Sequence, residues 1–463
     1  MSLTASLAEY VLDADFDVFP EPVKRQGRLV LADTIGVLLA ASRERAVRTA
    51  LSATPDYRGG KCTIVGHCSG TDAARAAFVN GIGGHDIELD DTHTSGRNHA
   101  AAVLVPAALA AGEEAGHCTG RDLLGAIIAG YDLQIRISKA IGPQRQVDRG
   151  FHPTAVCGTF GAAAVAAKLL GLTAAQLQSA LALAASRSSG LLTYEDDSSH
   201  MVKSFHTGVA AQGGVQAALL ARAGFLGAPD VLAGRFNVLE PFGGTSVGVD
   251  QLLDGLGERY EICHTSLKRH ACCNQTHAAL DLLLTMRAQH GFECADIQSV
   301  DIKLAHDAVP IIDNNPLWTH NIQFIVAVAV REGFVGPEHF TEKYTTDDEL
   351  LTLARRVTVR GDDELQSRYS ALKGAVLEVV TSSGTFTAEC RAPIGSPAAP
   401  LAEAELQGKF ARLASTVLDE YEIEHLWATV ADTAAADWDL SELAASLVGR
   451  HSATTGTDKE SKV

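Results

Sequence analysis

The sequence is poor in aromatic residues, short of positive charge and without a long apolar run, and each shortage narrows what the chain can be. Phe, Trp and Tyr together make up 6% of the residues, while Ala and Gly are abundant. Small side chains let helices approach closely, so tightly packed helices are expected over much of the chain. Lys and Arg total 38 against 56 Asp and Glu, a formal net charge of −18. Such a surface repels a phosphate backbone unless a basic patch offsets it, and no Lys/Arg run is long enough to form one. Nucleic acid is therefore not an expected partner. The most apolar stretch, residues 100–112, ends at Glu113 and Glu114, short of the roughly 20 residues a spanning helix needs, so no membrane partner is expected. The nine cysteines are an odd number, and the adjacent pair Cys272-Cys273 lacks the C-x-x-C spacing of a zinc site. The opening Met1-Ser2-Leu3-Thr4 carries neither a basic nor an apolar leader signal. Free thiols and a cytoplasmic location are the expectation.

What is present is an ordinary globular composition, 46% hydrophobic and 20% charged over 463 residues, enough for two or three domains. Leu3, Leu7, Tyr10 and Val11 repeat at helical spacing. Further helices are expected over 22–41 and near 71–82, 99–114, 121–140, 157–170, 174–190 and 206–223. Beyond about residue 264 the texture changes. Val300, Ile302 and Leu304 alternate with polar residues, Val357 and Val359 mark a second strand, and 375–381 with 385–390 flank Ser382-Ser383-Gly384 as a hairpin. Helical patterns return over 274–288, 320–332, 406–417, 420–432 and 440–449. The fold class expected is mainly α with an inserted α/β domain. Residues 1–264 and 396–455 form the helical domain, 265–395 the smaller α/β unit, and 456–463 a frayed polar tail.

Four segments concentrate chemistry. The first, His85-Asp86-Ile87-Glu88-Leu89-Asp90-Asp91-Thr92-His93 with His99 following, packs imidazoles and carboxylates densely. It fits a divalent metal site, a set of carboxylates orienting His and Thr for acid–base work, or a solvated acidic turn. In the second, Arg149-Gly150-Phe151-His152-Pro153-Thr154, Pro153 starts a helix, so His152 sits where free N–H groups favour an anion, and Arg149 could add a carboxylate contact. His152 could equally be structural. In the third, Lys203 and His206 are three apart and share a helical face; a surface lysine is the bland alternative. The fourth, Leu267 to His277, holds Lys268, His270, the cysteine pair and His277; a Cys272 nucleophile with a His partner is one alternative there.

Taken in order, with Leu31-Ala32-Asp33-Thr34-Ile35-Gly36-Val37 ahead of them, these segments resemble the MmgE/PrpD family, which includes 2-methylcitrate dehydratase, cis-aconitate decarboxylase and iminodisuccinate epimerase. The resemblance implies a helical domain built from both chain ends, an inserted α/β lid and a homodimer. It also implies a cleft active site that uses no metal or organic cofactor. Its active-site set falls on Glu88, Thr92, His99, His152 and Lys203. The family's decarboxylases have Asp where this chain has Glu88, and a catalytic Tyr in the lid helix that aligns here with Phe324, which speaks against decarboxylation.

The chemistry expected is proton removal beside a carboxylate of a small di- or tricarboxylate, dehydrating a 2-hydroxy acid. An iminodisuccinate-type epimerisation is the alternative, and a dimeric polycarboxylate-binding scaffold the non-enzymatic one. His152 is the expected base and His99, oriented by Asp91 or Glu88, the expected acid, with Lys203 and Thr92 beside them. Arg149, His206, Lys268, Cys273 and His277 are the expected substrate contacts.

Overall fold

A computed structural model describes residues 2–53, 59–68, 70–196, 199, 201–245, 247–369 and 372–448. The tail expected over 456–463 lies outside the described residues. The chain is mostly helical with two small sheets, and no helix among the described residues is long and apolar enough to cross a membrane. None of the nine cysteines is joined in a disulfide.

The first half runs through α1 (Leu3–Asp13), α2 (Glu21–Ala41), α3 (Arg45–Ser52), α4 (Ala73–Asp86), α5 (Ala101–Ala115), α6 (Gly120–Ile141), α7 (Pro143–Asp148), α8 (Pro153–Leu169), α9 (Ala174–Ala185) and α10 (Met201–Arg222). The small-residue composition has its expected effect. A Cβ on Gly81 would lie 2.9 Å from the Gly208 Cα, and one on Gly208 would lie 2.6 Å from the Phe78 carbonyl oxygen. The crossing of α4 and α10 is thus closed to any side chain at those two positions. α5 and α8 are buried almost throughout, with Ala on every side of them.

α10 begins five residues earlier than the periodicity indicated, at Met201, because its first turn carries polar residues that bury only on reaching α4 and α8. That shift places Lys203 in the first turn of a buried helix rather than in a preceding loop.

The second unit is built on a four-stranded sheet in the order β4-β3-β5-β6, with β3 Ile297–Leu304, β4 Val357–Gly361, β5 Ala375–Thr381 and β6 Gly384–Cys390. β3 pairs parallel with β4 and antiparallel with β5, and β5 and β6 form the hairpin. Val300, Ile302, Leu377 and Val379 face helices His277–His290 and Ile322–Glu332 and share one core with Leu280, Leu283, Val326 and Val330. A two-residue ladder, β1 (Thr92–His93) against β2 (Thr265–Ser266), ties the acidic segment to the chain entering this unit.

Past the sheet the chain returns to the helices. Helix Glu403–Ala414 packs on α2, with the Phe410 ring 3.4 Å from where a Gly36 Cβ would stand. Lys409 on this helix is buried and donates to Asp33 Oδ1 on α2 (2.6 Å), the Leu89 carbonyl (3.0 Å) and the Lys268 carbonyl (2.7 Å). One ammonium group therefore fastens four separate segments.

Gly208→Ala is expected to cost about 1–3 kcal/mol through overpacking of the α4–α10 crossing, measured as a fall in the urea midpoint at unchanged slope.

Candidate functional site

The α4 helix ends at Asp86, and Glu88 then takes a left-handed backbone conformation, φ 54°. This is uncommon for a residue with a Cβ and costs of order 1 kcal/mol. The turn sends the Glu88 carboxylate inward, where it is 1% exposed. Lys203 of α10 pairs with its Oε1. Lys268, from the other unit, lies 2.9 Å from its Oε2 and also donates to the Glu88 carbonyl at 2.9 Å. Both lysines are buried. One carboxylate thus bridges two ammonium groups drawn from opposite sides of the molecule.

Asp90 stands behind this bridge. Its Oδ2 is 2.7 Å from His85 Nδ1 and 2.9 Å from His99 Nδ1, and its Oδ1 is 3.4 Å from Lys268 Nζ. Burial raises the Asp90 carboxyl, but His85, Lys268 and His99 outweigh it and hold the group well below the usual carboxylate range. His99 Nδ1 also lies 2.7 Å from the Asp91 carbonyl oxygen, which can only accept, so Nδ1 carries hydrogen and Nε2 is the free edge. His85, Asp90 and His99 could in principle hold a metal ion. Lys268 already supplies a cation to Asp90, and both imidazole contacts have hydrogen-bond lengths, so the group reads as an orienting network.

His152 caps α8 immediately before Pro153, and its Nδ1 is 3.2 Å from His206 Nδ1, leaving the Nε2 edge for a substrate. Burial first, then the charges of His85, His206, Lys203 and His99, hold His152 well below the ordinary imidazole value, so it is neutral at neutral pH.

These groups meet in one cavity of about 640 Å³, within the range of small-molecule sites. Its walls come from both units, and Glu88, Thr92, His99, His152 and Lys203 all line it, as do Lys268 and Cys273. Other expected residues lie elsewhere. Arg149 is exposed and donates to the Pro241 carbonyl at 3.0 Å, because the C-terminus of α7 turns its guanidinium away from the cavity. His277 starts the helix after the cysteine pair, buried with Nε2 3.3 Å from the Cys272 carbonyl oxygen. His206 stands behind His152 and contacts that ring rather than the cavity. The Asp91 carboxylate is absorbed by the fold: it accepts from Ala101 N at the start of α5 (2.9 Å) and from Tyr131 Oη (2.8 Å), and burial with the nearby Asp90 raises it to about 8. Asp90, not the Asp91 or Glu88 carboxylate, orients His99. Cys272 is buried against Thr276 and its thiol is pushed up by burial, which removes it as a nucleophile.

Phe324 does not line the cavity. It is fully buried in the core of the second unit, its ring 4.8 Å from Trp318 and 6.2 Å from Phe340. The missing hydroxyl at this position therefore carries no weight on decarboxylation, and the phenols that do line the cavity are Tyr194 and Tyr369.

Sequence reasoning missed several lining groups. Arg97, with a left-handed backbone (φ 47°), and Lys373 face the cavity, and neither has a carboxylate within ion-pairing distance among the described residues. Arg97 had a signal, a guanidinium two residues before His99; Lys373 and Tyr369 had none. Glu195 and Asp196 sit exposed at the mouth. Among the described residues, two buried hydrogen-bonding atoms of lining residues have no partner, Thr92 Oγ1 and Asn274 Nδ2. An orphaned buried polar group costs about 1–3 kcal/mol unless a ligand satisfies it.

The sequence matches the MmgE/PrpD N-terminal domain over residues 5–247 and the MmgE/PrpD C-terminal domain over 270–433. It is 27% identical to the cis-aconitate decarboxylase-like protein oryM of Aspergillus oryzae over 97% of this chain and 98% of that protein. It is 27% identical to human cis-aconitate decarboxylase over 76% of this chain and 74% of the relative. With 2-methylcitrate dehydratase of Cupriavidus necator it shares 30% identity over 44% of each chain.

Thr92→Val is near-isosteric and removes an atom that bonds nothing among the described residues. Thermal unfolding is expected at or slightly above the wild-type midpoint, while binding of an acid substrate falls about tenfold or more. A clear loss of stability would instead assign the hydroxyl to the fold. Matched along both halves and carrying this two-sided cavity, the chain belongs to the MmgE/PrpD family.

Proposed function

We propose that the cavity binds a small polycarboxylate and generates a carbanion beside one of its carboxylates, the leading reaction being dehydration of a 2-hydroxy acid. The observation that carries this reading is the convergence of a neutral, buried His152 with four cations, Arg97, Lys203, Lys268 and Lys373, on one cavity. A C–H beside a carboxylate is a poor acid, and removing its proton requires positive groups where the charge develops. Glu88 and Asp90 neutralise the inner lysines in the resting site, so Lys203 and Lys268 can hold a substrate carboxylate without standing as unpaired buried charges. Arg97 and Lys373 are left to meet further carboxylates.

His152 takes the proton at Nε2, with Nδ1–H held by His206. His99, its Nδ1 fixed by Asp90 and the Asp91 carbonyl, gives a proton from Nε2 to the departing hydroxyl, and Thr92 and Asn274 donate to substrate oxygens. Approach of the 265–395 unit would exclude water and strengthen each contact.

Decarboxylation is the second reading. It is favoured by the full-length similarity to a decarboxylase-like relative and by the two cavity phenols, and it passes through the same kind of carbanion.

The test is an NMR screen in heavy water with 2-methylcitrate, citrate, cis-aconitate and iminodisuccinate, scoring deuterium uptake, water loss and carbon dioxide release. A mere binding protein exchanges nothing. His152→Ala is expected to lower turnover at least 100-fold, and a variant with near-normal turnover rules His152 out as the base. Because the folded site holds His152 below the ordinary imidazole value of ~6.5, the base stays unprotonated as pH falls past 6.5. The acid limb of kcat/KM is then expected below that value, not at it.

A further inference from the structure

The groups assigned so far to proton transfer, His99 and His152, stand on the wall made by the helical half of the chain. The facing wall carries a pair the reaction scheme does not use. Cys273 and the His320 imidazole line the cavity together. The backbone around the cysteine is fixed from two directions: its N–H donates to the Thr319 carbonyl at 2.9 Å, and its carbonyl accepts from Thr276 N at 3.0 Å and Thr276 Oγ1 at 2.8 Å. The next residue, Asn274, also lines the cavity, and its buried amide nitrogen has no partner among the described residues. A fixed thiol, an imidazole partner and an unsatisfied donor on one stretch of wall form a built site.

From this arrangement we infer that Cys273, held by His320, is a second proton donor and acceptor, acting on the face of the substrate carbon turned away from His152. The inference rests on the carbanion reading above. When His152 removes a proton, the electron pair remains on carbon as an enolate. Cys273 S–H delivers its proton to the opposite face, leaving a thiolate beside the His320 ring, and the His152 imidazolium releases its proton to water. The thiolate then regains a proton from water, so each turnover conserves protons and electrons. Run from the other side, the same two groups exchange roles, which gives the site the ability to invert a stereocentre beside a carboxylate.

The electrostatics agree. Burial raises the Cys273 thiol, but the neighbouring His320 charge, the hydrogen bond to it and the Gln275 backbone N–H bring it down to about 7, in spite of Glu88. The other groups facing it are Lys268, Lys373 and Tyr194, with Tyr369 joined through Gln275. Lys373 is itself brought to about 8 by burial and by Lys268 and Arg97, against the pull of Cys273. A thiol near neutrality serves equally as acid and base.

Two measurements test this, and the first does not depend on turnover. Iodoacetate, an electrophile that carries a carboxylate, is expected to alkylate Cys273 ahead of the other cysteines, read by peptide mass spectrometry. The rate should have a pH midpoint near 7, and His320→Gln should move it up by a unit or more. A Cys273 that reacts with a midpoint near the ordinary ~8.5, unchanged in His320→Gln, overturns the proposal. The second uses the acids of the heavy-water screen. Cys273→Ala is expected to lower the ratio of inversion to deuterium uptake at that carbon at least 100-fold, and Cys273→Ser should not restore it. Inversion at the wild-type rate, or parallel loss of exchange and inversion, overturns the second-face role. If the unaltered protein exchanges none of the acids, the carbanion reading itself fails, and the alkylation result still decides whether the thiol is poised.

Discussion

The Glu88 carboxylate, held between the Lys203 and Lys268 ammonium groups, is the interaction from which the site is organised. Two buried lysines side by side repel one another and resist leaving water; one carboxylate between them removes both objections. It is delivered there by a backbone turn that a side-chain-bearing residue rarely adopts, and by a crossing of α4 and α10 so close that only glycine fits. The site is thus paid for in local strain and tight packing and gains a cation pair already assembled on the cavity wall.

Around that bridge the charges are layered. Asp90 holds two imidazoles and a lysine, Asp91 serves the start of α5 and a tyrosine, and Lys409 fixes the backbone at Leu89 and Lys268. Neighbouring aspartates in sequence have opposite fates because one meets only cations and imidazoles and the other a backbone N–H and a phenol. One is driven far below the usual carboxylate range by its cations, the other above it by burial. The outer cations, Arg97 and Lys373, are not neutralised in this way, so the cavity grades from a balanced interior to a positive middle and an acidic, solvated mouth.

Most of the secondary structure could be read from periodicity, since amphipathic stripes and alternating strands leave a direct trace in the chain. The hairpin at 375–390 and the terminal helices show this. The start of α10 was less legible because its polar first turn is buried by tertiary contacts. Motifs lying close in sequence, Glu88 to His99 and His152 with its following proline, announced the site residues they hold. Arg149 and His277 misled because a motif gives residue type and spacing but not direction: one more turn of backbone aims a guanidinium at solvent or an imidazole at a core. Phe324 misled because spacing along a helix does not tell a position facing the core from one facing the cavity. Tyr369 and Lys373 stand in stretches with no pattern of their own, and their placement is purely a matter of how the second unit folds over the first.

The bond from Lys409 to Asp33 spans 376 positions. While the polypeptide is being synthesised, Asp33 on α2 waits 376 positions for the ammonium group that bonds it. The loop before Thr92 and the backbone of Lys268 lack their shared anchor for just as long. Assembly of the cavity is therefore coupled to synthesis of the helix that follows the sheet, and a product terminated before it would carry every residue proposed for chemistry yet not the ammonium group that draws their segments together.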